Sequence, residues 1–69
     1  MENQNSNQRI LRLNEVIART GRSRSSIYAD IDREEFPKPI KLGLRAVGWL
    51  ESEIDNWIQG RIEKSRLIA

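Results

Sequence analysis

Pro37 and Pro39 stand two residues apart just past the middle of the chain, in the run EEFPKP at 34–39. Each ring fixes φ and removes a backbone donor, and each proline pushes the residue before it out of the helical region. No helix crosses this point, so the stretch has to run extended. The chain has 69 residues, one domain at most. A domain that short buries only about 60% of its unfolded surface, and Phe36, beside the prolines, is expected to plug the core there.

On the N-terminal side of the break the pattern is helical. Leu11 and Leu13 lead into a first helix, for which Asn14 is the expected N-cap, Glu15 the first-turn acid and Gly21 the left-handed stop. Val16, Ile17 and Thr20 form its inner face. Ser23 is the expected cap of a second helix from Arg24 to Asp32, with Ile27 and Ile31 as its core stripe. Two short helices joined by a tight glycine turn make a helix-turn-helix pattern.

Past the prolines, PIKLGLRAVGW alternates around a turn at Gly43, Leu44 and Arg45, which predicts a hairpin. Leu50, Ile54, Trp57, Ile58 and Ile62 then form one stripe of an amphipathic last helix, opened by Ser52 with Asp55 at capping-box spacing. Trp49 and Trp57 both lie within apolar patterns and are assigned to the core rather than to base stacking. The expected organisation is a disordered polar lead at 1–9, a folded domain at 10–64 and a frayed tail at 65–69.

Function classes narrow quickly. The sequence has no histidine and no cysteine, which removes the commonest acid–base groups and nucleophiles as well as disulfides and thiolate metal sites. Glu51, Glu53 and Asp55 complement a helix dipole rather than form a catalytic cluster. The expectation is no enzyme, no cofactor, no metal and a cytoplasmic protein. No apolar run approaches the roughly 18 residues of a membrane span.

Charge is what remains. The net value is only +2, but residues 9–29 carry +4 and residues 36–49 carry +3, separated by −3 at 30–35. If the two basic segments meet in space, they make a positive face. On the second helix, stepping 100° per residue from a buried Ile27 turns Ser25, Ser26, Ala29 and Asp32 outward, with Tyr28 at the flank. Arg22 and Arg24 sit beside the helix N-terminus, an arrangement that becomes favourable when an anion docks there. Small residues let such a helix sink into a major groove, where arginine pairs with guanine. Arg22, Arg24, Ser25, Ser26 and Tyr28 are therefore the candidate DNA contacts of the helix. Lys41 and Arg45 are those of the hairpin, whose tip can lie against a minor groove. Arg45, in phase with Val47 and Trp49, has the alternative of an internal brace. Six basic groups (Arg19, Arg22, Arg24, Lys38, Lys41, Arg45) flank this interface.

The combination TG-x-SRS-x-IY, then FP-x-P-x-KLG-x-R-x-V-x-W, then SEI-x-x-W, within residues 11–61, resembles the AlpA family of prophage and genomic-island regulators. More broadly it is similar to phage excisionases and MerR-type winged helices. The resemblance implies an α+β, mostly helical fold: a small winged helix-turn-helix with three helices and a two-stranded hairpin wing. It carries major-groove contacts onto Arg24, Ser25, Ser26 and Tyr28, and wing contacts onto Lys41 and Arg45. Family members often carry a basic residue just after the tyrosine, where this chain has Ala29 and Asp30. The implied partner is double-stranded DNA, bound by a transcriptional regulator or by an excisionase acting with an integrase. The protein is expected to be a monomer in solution that associates on DNA. Two rivals stand beside this reading. One is an interaction module whose basic face binds an acidic partner or whose acidic helix end binds an integrase. The other is an RNA-binding domain, disfavoured by the lack of an exposed aromatic platform.

Overall fold

The computed structural model describes residues 8–68, so most of the expected lead at 1–9 lies outside the described residues. The elements are β1 (Ile10–Leu11), α1 (Leu13–Thr20), α2 (Arg24–Asp32), β2 (Ile40–Lys41), β3 (Val47–Leu50) and α3 (Glu51–Ile68). This is a mostly helical α+β fold of three helices on a small antiparallel sheet, as expected of a winged helix-turn-helix. Among the described residues no helix is long and apolar enough to cross a membrane.

The helix-turn-helix forms from local chemistry. Gly21 adopts φ 72° and donates its N–H to the Ile17 carbonyl at 2.9 Å, which ends α1. Ser23 caps α2: its hydroxyl oxygen accepts the Ser26 N–H at 3.1 Å. At the other end of α2 the Glu35 N–H reaches the Asp30 carbonyl at 2.8 Å and the Glu34 N–H reaches that of Ile31 at 3.0 Å. With Glu34 left-handed at φ 62°, this is a Schellman stop without the usual glycine.

Four details differ from the sequence reading. The cap of α1 is Arg12, not Asn14, because the Glu15 carboxylate accepts the Arg12 N–H at 2.8 Å and begins the helix two residues earlier. The wing belongs to a three-stranded sheet, order β1-β3-β2, rather than to an isolated hairpin. Leu11 lies opposite Trp49 on one side of β3 and Lys41 lies opposite Val47 on the other. The last helix begins at Glu51, directly after β3, and the Asp55 carboxylate is taken by Arg19. That helix also runs on through the expected tail to Ile68.

Leu11, Val16, Ile27, Phe36, Trp49 and Ile54 make one buried cluster, with Leu13, Ile17, Ile31, Val47, Trp57 and Ile58 packed around it. The proline segment is pinned to this core at three points. Phe36 is buried, the Trp49 indole N–H donates to the Pro37 carbonyl, and the Trp57 indole N–H donates to the Glu35 carbonyl, each at 3.0 Å. Trp57 is only half-buried, edge-on to Phe36 with centroids 4.9 Å apart. Ile62, the last position of the expected stripe, has already left the core. Gly48 is the close-approach glycine of β3: a Cβ there would collide with Cγ2 of Ile10 and lie 3.1 Å from the Leu11 carbonyl oxygen.

Candidate nucleic-acid interface

The two basic segments do meet. Arg12 at the cap of α1, Arg24 in the first turn of α2 and Arg45 beside the hairpin tip line one cleft of about 490 Å³, together with Asn14, Tyr28 and Val47. None of the three arginines has a carboxylate partner among the described residues. The Arg24 guanidinium lies over the Tyr28 ring, 5.6 Å from its centroid. Tyr28 in turn meets Trp49 edge-on at 6.4 Å. This chain of contacts ties Arg24 to the core through an aromatic pair and reduces the freedom lost when it binds a ligand.

Four other arginines, Arg9, Arg19, Arg22 and Arg33, are held by acids. Arg19 of α1 donates to Glu51 at 2.7 Å and to Asp55 at 2.8 Å, fastening α1 to the start of α3. The hydrogen bond to Glu51, aided by the charges of Asp55 and Glu51 and opposed by desolvation, holds its guanidinium above the ordinary arginine value. Arg9 reaches Glu15 at 3.5 Å and Glu51 at 3.7 Å. Arg22 lies 2.7 Å from Asp30, whose side chain is only 8% exposed, and stacks over Trp57 at 5.9 Å. Arg33 approaches the other oxygen of Asp30 at 2.8 Å.

The sequence candidates therefore separate. Arg24, Ser25 and Tyr28 are exposed on α2, and Arg45 shares their cleft. Lys41 is exposed on the edge strand, and its pairing with Val47 puts it on the face that Val47 presents to the cleft. Arg22 is instead engaged internally, and Ser26 is half-buried with its hydroxyl accepting from Ser23 at 3.0 Å. Arg12 belongs to the basic segment of the sequence but not to its candidate contacts. Only the two-residue β1, too short to leave a period, places it beside Arg24. Asp30, two residues after Tyr28, is the internal counter-ion of Arg22 and Arg33.

A glycine-turn helix pair, with its second helix exposed at the N-terminal end beside a hairpin, defines a small winged helix-turn-helix. The family model for the prophage CP4-57 regulatory protein (AlpA) matches residues 9–62. The chain belongs to the AlpA family. It is 44% identical over 59 residues to the DNA-binding transcriptional activator AlpA of Escherichia coli (strain K12), a match covering 77% of this chain and 84% of that protein. It is 47% identical over 55 residues to the uncharacterized protein ORF88 of Enterobacteria phage P4, covering 80% of this chain but only 62% of that relative. No solved structure matches.

Proposed function

We propose that this chain is a sequence-specific, non-catalytic DNA-binding regulator of a prophage or genomic island, working in the bacterial cytoplasm. The observation that carries this reading is the convergence on one cleft of three arginines without a carboxylate partner among the described residues, while Arg9, Arg19, Arg22 and Arg33 are neutralised by carboxylates. The similarity to a DNA-binding transcriptional activator supports it. In the proposed complex α2 enters the major groove N-terminus first. Arg24 pairs with guanine, and Ser25 and Tyr28 pack on base edges or phosphate. The hairpin crosses to the neighbouring minor groove, with Lys41 on phosphate and Arg45 at the groove. Arg12 binds phosphate between the two. The same contacts serve an activator of transcription or an excisionase that directs an integrase. A footprint on the element's attachment site, compared with one on its promoters, distinguishes these roles.

Phosphate neutralisation gives the direct test. With Arg19 and Arg22 engaged internally and Lys38 lining a separate groove, Arg24, Lys41 and Arg45 remain of the six, and Arg12 joins them to face DNA. Four phosphate contacts correspond to a slope of log K against log salt of about −3 to −4. Fluorescence anisotropy on a duplex selected from a random pool measures it, and a slope near zero overturns the proposal.

A further inference from the structure

A larger concavity, of about 640 Å³, lies at the opposite end of α2 from Arg24 and shares no lining residue with the arginine cleft. Its apolar surface comes from Pro37, Ile40 and Trp57, and its rim carries the carboxylates of Glu34, Glu35 and Glu53 against the single cation of Lys38. Glu34 and Glu53 have no cation partner among the described residues. Glu35 has only the exposed Arg33 at 3.7 Å. The wall is preformed, because both tryptophan indoles hydrogen-bond to the carbonyls of the proline segment and Phe36 anchors it from below. A binding partner therefore need not order the loop, which lowers the cost of association.

The charge arrangement selects the occupant. The arginine cleft has three cations and no carboxylate, whereas this groove has three carboxylates and one cation. Nucleic acid is repelled from the second as it is attracted to the first. The ligand must be cationic, and the exposed apolar floor calls for an apolar anchor. A peptide segment with both properties satisfies the two demands at once. We propose that this groove docks a basic peptide segment of a partner protein, seating an apolar side chain on Pro37, Ile40 and Trp57 and pairing flanking lysine or arginine with Glu34, Glu35 and Glu53. The apolar seat supplies most of the affinity, and the carboxylates supply steering and discrimination. The groove lies away from the DNA cleft, so the protein can hold DNA and this partner together.

A random-peptide display selection on the full chain, followed by anisotropy of the winning synthetic peptide, tests the proposal. Winners should carry an apolar residue flanked by lysine or arginine and should bind equally well with saturating DNA duplex present. The double variant E34Q/E53Q, altered only at exposed positions, should bind the peptide about three- to tenfold more weakly, as expected for losing two exposed charge pairs. Its duplex affinity should stay within about twofold of the parent. Failure to enrich any peptide, winners without basic residues, equal binding by E34Q/E53Q, or displacement by duplex each overturns it. The readout is peptide binding, so the result stands or falls separately from the DNA reading.

Discussion

Replacing Asp30 by alanine removes the one buried acid of the helix-turn-helix and leaves two guanidinium groups facing an empty site. Truncating one partner of a fully buried ion pair costs about 3–5 kcal/mol. This cluster is less enclosed than that: the Arg33 side chain is 62% exposed and that of Arg22 is 28% exposed. Arg33 regains water freely, so its part is that of a surface pair, at most about 1 kcal/mol. Arg22 keeps its stack on Trp57 but loses its only carboxylate among the described residues, which adds about 1–2 kcal/mol. A total near 2 kcal/mol is a large fraction of the roughly 3–10 kcal/mol available to a domain this size. It corresponds to a fall in Tm of about 8–16 °C. Thermal unfolding followed by circular dichroism measures it, and Asp30→Asn, which keeps the shape and one acceptor, should lose about half as much. In a double-mutant cycle, Arg22→Ala and Asp30→Ala should couple by about 1 kcal/mol. A Tm within about 2 °C of the parent for Asp30→Ala would refute the burial argument. If Arg22→Ala instead kept its stability and lost only DNA binding, Arg22 would return to the interface that the sequence first assigned it.

Arg24→Ala is expected to lose about 1–3 kcal/mol of specific duplex binding while its stability changes by less than about 0.5 kcal/mol; normal binding with early melting would make it a structural residue. Lys41→Ala should shift the salt slope by about 1 with even loss across sequences, whereas Arg45→Ala should weaken sites with narrow A·T-rich flanks more than G·C-rich ones. A lowered Tm with no flank dependence would make Arg45 the internal brace. Gly48→Ala should cost about 1–3 kcal/mol through its collision with Ile10. Gly60→Ala, with nothing within 4 Å, should gain about 1 kcal/mol; denaturant titrations giving both changes the same sign would contradict the packing described.

Legibility in the sequence followed the range of the interaction. Ser23, Gly21 and the Ile27–Ile31 pair act within one or two turns, and α2 runs over Arg24–Asp32 as their spacing indicates. The sequence points to Asn14 as the start of α1 because it has the right side chain for a cap, yet the decisive bond runs from the Arg12 N–H to the Glu15 carboxylate, which any backbone N–H at that spacing could supply. Strand β1 left no signal, since two residues carry no period and exist as a strand only through β3, far along the chain. For the site, residue type alone could not separate Arg22 from Arg24. They differ in what lies across space: Asp30 and Trp57 for one, open cleft for the other. Asp30 itself was unreadable, because a charged residue is buried only when paired and its partners come from the preceding turn and the end of its own helix.

The pairing of β1 with β3 bears on how freely this protein can be cut and recombined. Leu11 and Trp49 face each other across that pair, and the Glu51 N–H is satisfied by the Arg9 carbonyl at 2.8 Å. Residues 9–11 thus clasp the root of the hairpin and the entry to the last helix. A fragment ending after α2 would lack Trp49 and Ile54 and could not close a core around Val16 and Ile27. The helix-turn-helix here is not a portable module to which a wing has been added. New sequence preferences can be written onto exposed positions such as Arg24, Ser25 and Arg45, but transplanting α1 and α2 alone into another scaffold, or trimming the chain back past Ile10, should release the reading surface from the body that aims it.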